Sequence, residues 1–170
     1  WDLERRMQQL GFDYCYDKRL YDSLVVADLG APGTVDAVGG HLGAEIGYQN
    51  RLVRFVENHD EARAAAAFPP ERLRAATLTT ATQPGARLFH EGQLEGRRTK
   101  VTVFLGRRPQ EPADLALLDW SQRLLSALRH PVFHRGKWVH CQVHPAGNVL
   151  GWCWHDESSH TLALAVVNLG

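Results

Sequence analysis

The sequence has no surplus of either charge: 19 Lys and Arg stand against 19 Asp and Glu in 170 residues. Binding to nucleic acid or to an anionic membrane surface runs on an excess of Lys and Arg, so the balance excludes both as partners. No apolar run approaches the roughly 20 residues of a membrane span. The basic start and short apolar stretch of a leader peptide are missing too, and so is an initiator Met. The chain opens at Trp1-Asp2-Leu3-Glu4, which reads as mid-helix. The expectation is a piece of a longer protein, so targeting is not legible from this end. Cysteine is scarce. Cys15, Cys141 and Cys153 are odd in number and lack metal-type spacing. No metal and no cofactor are expected, and the thiols read as small buried hydrophobes in a reducing, cytoplasmic compartment. Only Cys141 and Cys153 sit on segments that could bring two thiols together.

Apolar material is plentiful, at 44% of residues, enough for a sizeable core. Leu3, Met7 and Leu10 recur at helical spacing before Gly11. The run from Gly11 to Asp17 is short, aromatic and strand-like, and Leu20, Leu24 and Val25 begin another helix. Residues 29–40 are rich in Gly and Pro and read as a loop, with helix from His41 to Gln49. Leu52-Val53-Arg54-Phe55-Val56 suits a strand covered on both faces. Helix follows from Ala62 to Phe68, breaks at Pro69-Pro70 and resumes to Gln83. Ala86 to His90 is the next strand, and Ala113 to Leu128 is a long amphipathic helix. Beyond Pro131 the period changes to two, which predicts antiparallel strands and a second domain. Strand and helix alternation predicts parallel βα units, in a barrel or an open sheet. Polar clusters at the ends of successive strands favour the barrel, whose sites lie at that face.

Glu57-Asn58-His59-Asp60 stands where a buried strand meets its loop. Sugar chemistry needs carboxylates at such a place, to stabilise an oxocarbenium-like transition state and to bond ring hydroxyls. Asn and His can grip a hydroxyl while holding a carboxylate. The plainer alternative is loop chemistry, with Asn58 turning the chain and Asp60 capping the next helix. From the residue types alone both remain open.

Phe55-Val56-Glu57-Asn58-His59-Asp60 resembles the fourth conserved region of glycoside hydrolase family 13, the α-amylase family. There an aromatic residue and two variable ones precede Asn-His-Asp at the end of the seventh barrel strand. Pro84 to Gln93 resembles that family's eighth strand, and Gly11-Phe12-Asp13-Tyr14 its sixth. The resemblance implies the second half of a (β/α)8 TIM barrel over residues 1–130, an α/β fold. An antiparallel β-domain would begin at 131 and be only partly present by 170. It also implies roles: Asp60 as the transition-state-stabilising carboxylate, His59 bonding the same sugar, and Asn58 supporting both. Arg63 resembles an arginine common beside this motif in relatives acting on small α-glucosides. Glu57, Glu91 and Gln93 complete the candidate substrate-binding set. The nucleophilic Asp and acid/base Glu of that family lie upstream, and the pair must stand about 5 Å apart across the scissile bond. The expectation is therefore a retaining enzyme acting on an α-glucan or small α-glucoside, whose missing N-terminal barrel half is this chain's partner. The chain alone is expected to be inactive. A non-catalytic sugar-binding or scaffold protein on the same barrel is the rival, and a transferase or isomerase of disaccharides is another.

Three further patterns carry less. His130, His134, His140 and His144 suggest metal spacing, but residues four apart in a strand stand about 13 Å from each other. Gly39-Gly40-His41-Leu42-Gly43 follows no predicted strand, which excludes a dinucleotide turn. Trp138, Trp152 and Trp154 suit a core more than a sugar-stacking platform.

Overall fold

The computed structural model describes residues 2–25, 34–102, 104, 106–143 and 147–169. Trp1, the start of the predicted loop at 29–33, and His144 lie outside the described residues. Helix α1 (Asp2–Gln9) leads into β1 (Cys15–Tyr16), then α2 (Lys18–Val25), α3 (Thr34–Leu42) and α4 (Ile46–Gln49). Strand β2 (Leu52–Arg54) is followed by α5 (Ala64–Ala67) and α6 (Pro70–Ala81), and β3 (Ala86–Arg87) precedes α7 (Leu115–Leu128) and α8 (Val132–Arg135). The chain ends in β4 (Lys137–Cys141), β5 (Val149–Asp156) and β6 (Thr161–Asn168).

The first three strands form a parallel sheet in the order β1-β2-β3, and the last three an antiparallel meander in the order β4-β5-β6. The predicted alternation of strand and helix is therefore present, with shorter ladders than the apolar runs suggest. Phe55 and Val56 leave the ladder but stay buried, and Phe55 stacks on Tyr21 at 5.2 Å between ring centroids. One expectation is corrected: residues 34–40 are helix, not loop, and the helix foreseen from His41 to Gln49 is the end of α3 plus a separate α4. Val35, Val38 and Leu42 form a buried stripe at helical spacing, and its burial outweighs the poor helix propensity of Gly39 and Gly40. Gly39 also has a packing reason, since a Cβ there would lie 3.2 Å from the Leu150 side chain on β5.

Arg54 is the one charge in the predicted buried strand, and it is almost wholly buried. Its guanidinium contacts the Asp17 carboxylate and the Gln49 side-chain oxygen, and Nε donates to the Pro84 carbonyl at 3.2 Å. Asp17 also meets His41 Nε2 at 2.9 Å and accepts from the Leu20 N–H at 3.1 Å. Burial pushes the Asp17 carboxyl up, but the His41 hydrogen bond and the Arg54 charge outweigh it and hold it below the usual range. The network ties the ends of β1 and β2 to α2, α3 and α4.

The antiparallel sheet packs one face on the helices. Leu150, Trp152 and Val167 join Leu20, Val38, Val56, Leu73 and Leu117 in one buried cluster. Trp152 Nε1 donates to Thr82 Oγ1 at 2.9 Å and Trp154 Nε1 to the Thr82 carbonyl at 2.7 Å, at the end of α6. Both indoles are core, and Trp138 packs half-buried against the same cluster. All three cysteines are free thiols. At the other side of the molecule Leu3, Leu10, Phe12, Tyr14 and Tyr16 are exposed, along the edge of β1 that has no partner strand among the described residues. No helix among the described residues is long and apolar enough to cross a membrane.

Arg54→Met leaves the Asp17 carboxylate buried without its guanidinium. The expected cost is about 3–5 kcal/mol, read as a lower urea midpoint. Asp17→Asn combined with Arg54→Met is expected to cost less than the sum of the single changes, because both charges leave together. Since Asp17 is held low, its contribution is full above the ordinary aspartate value and is lost as pH falls through the folded one.

Candidate functional site at the end of the central strand

The chain turns sharply after β2 because Asn58 folds back on it. Asn58 Oδ1 accepts from the N–H groups of Asp60 at 2.9 Å and Glu61 at 3.0 Å, while the side chain stays buried. The turn throws the next two side chains outward. His59 and Asp60 are 54% and 70% exposed, with His59 Nε2 and Asp60 Oδ2 3.3 Å apart. Asp60 does not cap α5, whose N-cap position is Arg63. Glu57 serves that end instead, its Oε2 accepting from the Ala64 N–H at 2.5 Å.

Glu57 is fully buried, and the other oxygen of its carboxylate faces Arg63 Nη2 at 3.0 Å and His90 Nδ1 at 3.3 Å. Burial pushes the Glu57 carboxyl up, against the opposing pull of the Ala64 N–H, Arg63 and His90. Three donors converging on two oxygens fit the ionised form, and burial narrows its margin. Arg63 spans the site: Nη2 donates to the Glu91 carbonyl at 2.7 Å, Nε to the Arg97 carbonyl at 3.4 Å, and Nη1 lies 3.1 Å from His90 Nδ1. That single imidazole nitrogen can accept from Arg63 or donate to Glu57, but not both. Which of the two bonds forms depends on whether Nδ1 carries the proton.

Of the seven residues singled out from the sequence, Glu57, Asn58, Arg63 and Gln93 are buried, and His59, Asp60 and Glu91 are exposed. The structure brings them together at one end of β2 and β3. Gln93 folds inward, its Oε1 accepting from the His90 N–H at 3.1 Å, whereas the Glu91 carboxylate points out and pairs with Arg108. Sequence reasoning passed over His90 and Lys100. His90 carried the same signal as Glu57, a polar residue ending a strand. Lys100, whose ammonium donates to the Asp60 carbonyl, carried none, because it comes from a connection forty residues on. Among the described residues no group of three or more His, Cys, Asp and Glu could hold a metal ion. His130 and His134 bond locally to backbone, and His140 stacks on Trp138.

Arg63→Met removes the charge facing Glu57, so the folded-state carboxyl rises further. A raised carboxyl contributes fully below the ordinary glutamate value and loses its contribution as pH rises through the folded one. The variant is therefore expected to lose about 3–5 kcal/mol at neutral pH and distinctly less in acid, read from urea midpoints at the two pH values.

No protein-family profile and no curated protein matches the chain. Solved structures do. A noncanonic maltogenic α-amylase from Thermotoga neapolitana superposes with a TM-score of 0.74 at 21% identity, covering 95% of this chain and 39% of that one. An α-amylase from H. orenii gives 0.71 at 19% identity, covering 99% and 42%. A debranching enzyme from Nostoc punctiforme, in an acarbose-soaked crystal, gives 0.73 at 15% identity, covering 94% and 38%. The chain spans about two-fifths of the length of these structures. Its structural neighbours are α-amylase-family enzymes, and over nearly its whole length the chain has the fold of the matching two-fifths of such an enzyme.

Proposed function

We propose that this chain is the last three βα units of a TIM-barrel catalytic domain (residues 1–130) followed by the start of a C-terminal β-domain (131–170), in a retaining enzyme acting on α-glucosidic bonds by hydrolysis or transfer. The observation that carries the reading is Asn58-His59-Asp60 itself: a turn at the end of a parallel strand that buries the Asn and presents His and Asp to solvent side by side. One neighbour is described as a maltogenic α-amylase, and another is a cyclic maltosyl-maltose hydrolase in complex with maltose, which supports an α-glucoside as substrate.

In this reading Asp60 bonds the hydroxyls of the sugar at the point of cleavage. Those bonds strengthen as positive charge develops on the ring, so they lower the barrier more than they favour the ground state. His59, 3.3 Å from Asp60, holds a neighbouring hydroxyl and the carboxylate together. Glu57, Asn58 and Arg63 are positioning residues, buried beneath the pair. Gln93 fixes the backbone at His90, and Glu91, exposed and paired with Arg108, is a further rim residue in reach of sugar. The nucleophile and the acid/base come from the upstream barrel half, which would also cover the exposed Tyr14, Tyr16 and Leu3 and pair the open edge of β1. The chain by itself performs no reaction.

The test uses the complete protein. It is expected to turn over a 4-nitrophenyl α-glucoside or maltose with retention of anomeric configuration, followed by NMR. Asp60→Asn is expected to lower kcat by about a thousandfold, roughly 4 kcal/mol of transition-state stabilisation, with little change in the thermal transition. The 170-residue chain alone is expected to show no turnover. Sugar binding without turnover in the complete protein would instead establish the non-catalytic rival, and an active Asp60→Asn variant would remove Asp60 from the mechanism.

A further inference from the structure

Every second side chain of β5 turns away from the helices. Leu150, Trp152 and Trp154 are buried on the inner face, and Gly151, Cys153 and His155 alternate with them on the outer one. Cys153 stands opposite Val139 on β4 and opposite Leu164 on β6, and both of these neighbours are more than half exposed. Cys141 comes two residues after Val139, so it shares that face and lies diagonally from Cys153. The right-handed twist of an antiparallel pair closes this diagonal, drawing a residue toward the one two places beyond its direct partner. The side chains follow the backbone. Cys141 Sγ leans back on Val139, whose carbonyl lies 3.8 Å away. Gly151, opposite Cys141, leaves room for that lean, since a Cβ there would lie 3.7 Å from the Cys141 Cβ. The two thiols meet, and burial together with the hydrogen bond to Cys141 pushes the Cys153 thiol up. Both cysteines are free and only half-buried, whereas Cys15 is buried and donates to the Glu4 carbonyl at 3.7 Å.

We infer that Cys141 and Cys153 are a redox-modification site, a dithiol that closes to a cross-strand disulfide by exchange with a small disulfide such as oxidised glutathione. The site lies in the antiparallel sheet and is independent of the sugar chemistry proposed above. In the exchange, one cysteine thiolate attacks a glutathione sulfur and expels a glutathione thiolate. The second cysteine, its proton lost to solvent, then attacks the sulfur of the first and expels the other glutathione as thiolate. The protein loses two protons and two electrons, and the glutathione disulfide takes them up as two thiols. Cys141 is the last residue of β4, so no further rung of the ladder resists the small approach that the bond requires. Thiols already in contact meet each other at a far higher effective concentration than they meet free glutathione, which favours the link over mixed disulfides. Because the Cys153 thiol is pushed up, it is mostly protonated at neutral pH, and the exchange quickens as pH rises.

The test exposes the complete, folded protein to oxidised glutathione at mildly alkaline pH, quenches it with acid and maps its peptides by mass. A pair of peptides joined through Cys141 and Cys153 is expected, lighter by two hydrogens than the reduced pair. It is expected in about tenfold or greater excess over glutathione adducts of either cysteine, and dithiothreitol is expected to reverse it. Cys153→Ser is expected to abolish the link and to leave Cys141 carrying one glutathione. Adducts without a link in the native protein, or a link that forms only in urea, overturn the inference. So does a native protein in which neither thiol reacts. The mapping of the unsubstituted protein decides the matter even if the serine variant fails to fold.

Discussion

The pairing of Arg54 with Asp17 is the constraint around which the parallel sheet is organised. A guanidinium in a central strand with helices packed over it is tolerable only with a charge beside it and acceptors for its remaining N–H groups. Asp17 supplies the charge from the end of β1, and Gln49 and Pro84 supply acceptors from the segments leading into β2 and β3. His41 reaches the same carboxylate from α3 and so fixes the helix that carries the Gly39 contact with β5. One buried charge thus sets the relative positions of two strands, one helix and, through that helix, the antiparallel sheet.

A second buried charge repeats the logic nearer the surface. Glu57 gathers Arg63, His90 and the start of α5, and Arg63 in turn holds the backbone at Glu91 and Arg97. The loops after β2 and β3 are therefore braced against each other from below. Asn58 completes the arrangement by spending its side chain on the turn, which leaves His59 and Asp60 projecting from a rigid base. In the function proposed above, that support would hold the Asp60 carboxylate within the tolerance that catalysis needs.

The Thr82 latch explains why the antiparallel sheet is not an independent appendage. Two indole N–H groups, from Trp152 and Trp154, end on one threonine, which itself donates to the Leu78 carbonyl at 2.7 Å. Buried polar groups need partners, and here the partners lie across the join between the two sheets. The change of sequence period near residue 131 marks a change of architecture, while the hydrophobic core runs continuously across it.

Local pattern was enough for the order of the strands, for the parallel and antiparallel halves, and for the polar cluster after β2, because period and strand-end polarity are properties of neighbouring residues. The resemblance of Phe55 to Asp60 to a known motif added the candidate roles. Pattern misread α3, where two glycines outweighed a buried Val35, Val38 and Leu42 stripe that packs into the core beside Leu20 and Leu24 of α2 and Leu150 and Trp152 of β5. It also did not separate Glu57 and Asn58 from His59 and Asp60 by burial. Their separation into two buried supports and two exposed groups depends on Arg63, His90 and Lys100, the last two more than thirty residues away in the chain. Burial and pairing are set by what folds on top of a residue, and that is decided only when distant segments meet.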